Sequence, residues 1–92
     1  MSYSFSVYAE SKTEAILAAQ AYFEANVLAN QPIHKTDMAA AFENVLQHIA
    51  LLRDPVEGEI VTISMNGSII VQEFGVGQVA SGCSVMVSPK PA

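Results

Sequence analysis

Residues Glu59 to Phe74 read EIVTISMNGSIIVQEF, and the fold turns on how this stretch is taken. Two β-branched runs flank Asn66-Gly67, a dipeptide favoured in type I′ turns because both central residues must adopt positive φ. The reading that follows is a two-residue β-hairpin. Its register sets Met65 opposite Ser68, Ile63 opposite Ile70 and Val61 opposite Gln72. On the other face Ser64 meets Ile69, Thr62 meets Val71 and Ile60 meets Glu73.

Working outward, Tyr3 to Tyr8 alternates aromatic or aliphatic residues with serines, the period of a half-buried strand. Ser11-Lys12-Thr13-Glu14 matches a capping box and predicts a helix from Ser11 to about Ala29, stopped near Pro32. Ile16, Ala19, Phe23 and Val27 form its core stripe, widened by Ala15, Ala18, Tyr22 and Ala25. A second helix, capped by Thr36 or Asp37, carries Met38, Phe42, Val45, Ile49 and Leu52 on one face and ends near Arg53. Asp54 to Gly58 is turn chemistry. Beyond the hairpin, Gly75 to Gly82 reads as a loop or irregular strand. Cys83, Val85 and Val87 then alternate with Ser84, Met86 and Ser88 as a last strand.

The element order is thus β-α-α-β-β-β. It predicts an α+β two-layer sandwich, a four-stranded antiparallel sheet with both helices on one face. Residues 1–88 form a single domain and 89–92 a short flexible tail. Tyr3, Phe5, Val7, Val61, Ile63, Met65, Ile70, Val85 and Val87 face the helices. The first strand lies beside either the second or the last.

Composition narrows the functional classes. Of 92 residues, 51% are hydrophobic and 14% charged, too apolar a chain for intrinsic disorder. No apolar run approaches the ~18 residues of a membrane span, and the first residues lack the basic start of a signal peptide. A cytoplasmic protein is expected. Four basic against nine acidic residues give a net charge of −5. The basic residues form no stripe, which disfavours nucleic-acid binding. The single Cys83 reads as a small buried hydrophobe.

No stretch carries a catalytic motif. His34 and Asp37, with His48 further along, lack a third ligand for a metal; they read as a loop-ordering residue and a helix cap. Gly75-x-Gly77 with Gly82 leads into a strand and has no nearby Lys, so the glycines read as a bend rather than a phosphate loop. No G-x-S-x-G is present. Glu57, Glu59 and Glu73 read as acidic guards of a sheet edge. No cofactor or metal is expected.

Two apolar surfaces remain. Leu17, Ala21 and Leu28 form a second stripe on the first helix, and Leu51 lies on the polar side of the second. The outer sheet face mixes Ile60, Ile69, Val71, Tyr8 and Met86 with Thr62, Ser4, Ser6, Ser64 and Ser84. A contiguous apolar patch usually marks association. The expected interface is Ile60, Thr62, Ser64, Ile69, Val71 and Met86, with Leu17 and Leu28 as a rival surface.

The runs SKTEA (Ser11 to Ala15), QPIHKTD (Gln31 to Asp37) and NGS (Asn66 to Ser68) together resemble small uncharacterised proteins of phages and prophages. The resemblance implies an accessory or host-takeover factor in the cytoplasm of an infected bacterium. It transfers no catalytic residues. The expectation is a non-enzymatic, homo-oligomeric binding protein acting on a host or phage protein. The alternative is a small-ligand binder holding a nucleotide-like metabolite between subunits.

Overall fold

The computed structural model describes residues 2–27, 38–71 and 77–91, with side chains for 2–26, 42–68 and 82–91. β1 (Ser2–Ala9) follows its serine alternation: Tyr3 and Phe5 are buried while Ser2, Ser4 and Ser6 are exposed. α1 (Lys12–Tyr22) begins at the predicted cap, where the Ser11 Oγ accepts the Glu14 N–H at 3.1 Å. It continues into a π-helical turn over Phe23–Val27. α2 (Met38–Leu51) buries Phe42, Val45 and Ile49, which are spaced three and four apart. The Lys12 ammonium donates to the carbonyl of Leu52, a cation at the negative end of α2.

The sheet has three antiparallel strands in the order β1-β2-β3, which places the first strand beside the second. β2 (Glu59–Val71) is central, and β3 (Gly77–Pro89) pairs with it along its whole length. The expected hairpin at Asn66-Gly67 is absent, and among the described residues the sheet has three strands rather than four. The chain runs straight through the dipeptide. Asn66 pairs with Ser4 and Gly82, and Gly67 with Tyr3 and Ser81. Gly58, in the turn before β2, is the glycine that takes positive φ among the described residues, at 86°.

The physical reason lies in the partners. A turn at Asn66-Gly67 would forfeit ladder pairing to Ser2, Tyr3 and Ser4 on one side and to Ser81 and Gly82 on the other. Gly82 leaves space for the Asn66 amide, whose Oδ1 lies 3.0 Å from where a Cβ on Gly82 would stand. The connection between β2 and β3 falls at 72–76, outside the described residues.

Both helices cover one sheet face. Phe23 and Phe42 meet edge-on with ring centroids 5.6 Å apart, and Tyr3 meets Phe23 the same way at 5.4 Å. Beneath them Val61, Ile63 and Met65 are fully buried, with Val7, Cys83, Val85 and Val87 packed around them. The predicted core face stands at these positions, but the helix stripe is narrower than read. Ala15, Ala19 and Phe23 are buried, Ile16 and Ala18 are half-buried, and Ala25 is exposed. Burying the cluster supplies the main drive to fold, at ~1.5–3 kcal/mol for each large apolar side chain.

Candidate functional site

Alternation on a continuous strand decides what the outer sheet face presents. Rows run across all three strands: Ser4–Asn66–Gly82, Ser6–Ser64–Ser84 and Tyr8–Thr62–Met86. The Ser6 and Ser64 hydroxyls lie 2.8 Å apart, one donating to the other. Tyr8 is 68% exposed and Met86 56% exposed, on either side of the half-buried Thr62. Within the strands no described side chain of this face is charged; the Lys90–Glu10 ion pair stands just beyond it, at the ends of β3 and β1.

The expected interface residues separate accordingly. Thr62, Ser64 and Met86 lie together on this face. Ile60 shares it but is only 5% exposed, so it adds little open surface. The side chains of Ile69 and Val71 lie outside the described residues. Their outer placement required the turn to invert the alternation. On an unbroken strand, positions 69 and 71 share the parity of 61, 63 and 65. Leu17 is 59% exposed on the helix layer, remote from this face; Leu28 lies outside the described residues.

Among the described residues β3 is an edge strand, and the side it turns away from β2 can be worked out from one bond. The Lys90 N–H donates to the Gly58 carbonyl at 2.8 Å, which makes 58 and 90 a hydrogen-bonded pair. Alternation then bonds 60 with 88, 62 with 86 and 64 with 84. Residues 77, 79, 81, 83, 85 and 87 therefore turn their N–H and C=O groups away from β2. Pro89, which lacks an N–H, falls at an outward position as edge strands require. The acidic guards read from the sequence are not on this edge. Glu59 begins the central strand, with its carboxylate held by both Arg53 guanidinium nitrogens at 2.7 Å and by the Val56 N–H at 3.0 Å. Glu57 lies in the preceding turn, and Glu73 lies outside the described residues.

His48 was grouped in the sequence with His34 and Asp37, which also lie outside the described residues. The structure brings it instead to Cys83, with Nδ1 3.8 Å from Sγ. This contact joins α2 to β3 across 35 residues of sequence, and no local pattern announces it. The same Nδ1 sits 2.6 Å from the Asn44 carbonyl, to which it must donate. The nitrogen nearest sulfur therefore carries a proton and is no base. Burial raises the Cys83 thiol pKa, which also works against thiolate formation. Cys83 is half-buried rather than the fully buried hydrophobe expected.

A cleft of about 490 Å³ lies where β1, the turn before β2 and the end of β3 meet, lined by Glu10, Pro55, Val56, Glu57, Glu59 and Lys90. The Lys90 ammonium is engaged by Glu10 at 2.8 Å. Pairing with Arg53 and the Val56 amide pulls the Glu59 carboxyl down to about 2. Among the described residues, no group of three or more metal-ligating side chains comes together, and no helix is long and apolar enough to cross a membrane. No family model, curated protein or solved structure matches the chain.

Proposed function

We propose that the protein is a non-enzymatic, homo-oligomeric binding protein, an accessory factor of the phage kind that acts on another protein in the host cytoplasm. The observation that supports this reading is the outer sheet face. Within the strands it is uncharged at every described side chain in a chain of net charge −5, and it exposes Tyr8 and Met86 on its two outer strands, near the end where β2 begins. Protein-binding surfaces are enriched in Tyr and Met and depleted of charge at their core. The serines between them are short and leave a partner room to approach.

A small-ligand reading has weaker support. The cleft beside Glu59 is lined by three carboxylates, and its Lys90 is already paired, so a nucleotide-like anion would be repelled.

The test has two parts. Light scattering at high micromolar protein gives the mass of the assembly, and a single-chain mass overturns the oligomer. The immobilised protein, incubated with lysate of infected bacteria, retains a stoichiometric partner. Tyr8→Glu combined with Met86→Lys abolishes retention without lowering the melting temperature. Retention that survives both substitutions removes the outer face from the reading.

A further inference from the structure

We infer that β3 is the self-association surface, and that a second copy adds its own β3 antiparallel to it, joining two three-stranded sheets into one of six strands. The inference rests on the homo-oligomeric reading and deepens it.

Three observations point to a second copy. The first is chemical. From Gly77 to Ser88 the strand contains no charged residue, although the chain has nine acidic and four basic ones. Exposed edges are ordinarily guarded by charge, bulges or proline. An uncharged edge is what a protein of net charge −5 needs to meet itself without like-charge repulsion. β1 (Ser2–Ala9) is uncharged as well, but β3 is the longer edge, 13 residues against 8.

The second is geometric. Outward groups at 77, 79, 81, 83, 85 and 87 form an unbroken row that stops at Pro89. The two-fold register that pairs all of them sets Gly77 against Val87, Val79 against Val85 and Ser81 against Cys83. Its axis passes at Gly82, and Pro89 stays outside the ladder.

The third is that the two rims of the core differ in the row of Met65. There Phe5 on β1 is buried, with Tyr22 stacked on it at 4.4 Å between centroids, while Cys83 on β3 is half-buried although α2 packs on that strand. In the next two rows Val7 and Ala9 on β1 are half-buried like Val85 and Val87 on β3. A neighbouring strand sets residues 81, 79 and 77 of the second copy opposite Cys83, Val85 and Val87, and covers what one chain leaves open.

Amide exchange read at single residues tests this directly on the unmutated protein. Between low micromolar and near-millimolar concentration, the amides of Val79, Ser81, Cys83, Val85 and Val87 slow by about tenfold or more as the dimer fills. The outward amides of Ser4, Ser6 and Tyr8 on β1 do not change. Ser81→Pro removes an outward N–H but no bond to β2, so it yields a monomer with the same fold. If that variant fails to fold, the exchange pattern of the natural chain still decides. A monomer at every concentration overturns both this inference and the oligomeric reading. An oligomer whose β3 amides stay fast overturns the inference alone. Protection confined to β1 moves the contact to the opposite edge. Dissociation by Tyr8→Glu with Met86→Lys, without β3 protection, moves it to the outer face.

Discussion

The Tyr3 hydroxyl is a buried polar atom with no hydrogen-bond partner among the described residues. Burial, helped by the nearby Cys83, raises its pKa above the ordinary tyrosine value. An unsatisfied buried hydroxyl costs ~1–3 kcal/mol, while the ring carries the packing. Tyr3→Phe is therefore expected to stabilise the fold by ~1 kcal/mol, raising the melting temperature by ~4–8 °C for a domain of this size. An unchanged or lower melting temperature means that the hydroxyl has found a partner. Gly67 shows how single residues mislead. Its turn preference is real, but it is overridden by pairing with Tyr3, which is distant in sequence and adjacent in the sheet. Ser11 was legible because a helix cap involves only residues three apart.

At the scale of elements, both helices and the core parity of β1 and of β2 up to Met65 were readable, because periodicity is local and burial enforces it. Beyond Asn66 the expected parity is inverted, so position 70, read as core-facing, shares the parity of 60, 62 and 64. The number of strands was not. It depended on whether the β-branched run was one strand or two, and a turn signal inside a strand is silenced when both neighbours pair across it. The π-helical turn after Tyr22 left no mark on the apolar spacing. The helix–helix contact makes a sharp prediction. Phe42 is 1% exposed and meets Phe23 edge-on, so Phe42→Ala should cost ~3–5 kcal/mol in denaturant unfolding. A loss below ~1 kcal/mol would mean that the two rings do not share one core.

At the scale of the whole molecule, ion pairs tie the ends of the elements together. Lys90 holds Glu10, Arg53 holds Glu59, and Lys12 lies 3.3 Å from Asp54. Glu59 titrates at about 2 when folded, against an ordinary value of 4.5, because of Arg53 and the Val56 amide; Glu10 is also lowered, by Lys90. A lowered carboxyl pKa adds stability above the unfolded value and loses it as pH falls through the folded one. Melting temperature should therefore be level above ~pH 5 and decline from there toward pH 2. Glu59→Gln should flatten that decline, as should high salt, since these are surface pairs. An equally steep decline in the variant would assign the acid sensitivity to other carboxylates. The candidate surface was only half legible in the sequence. Thr62, Ser64 and Met86 follow from strand parity, which needs no knowledge of neighbours. The free edge of β3 does not, because which strand is outermost is a property of topology.

The place of β1 beside β2 has a consequence for how the chain is made. A ribosome releases Tyr3 and Phe5 well before β2, and Ser2 and Tyr3 find their ladder partners only at Ser68 and Gly67. Until that point emerges, Phe23 and Phe42 have no sheet to rest upon. The nascent chain must carry these aromatic rings uncovered until β2 has emerged. When β2 arrives, one strand supplies at once the floor for both helices and the template for β1.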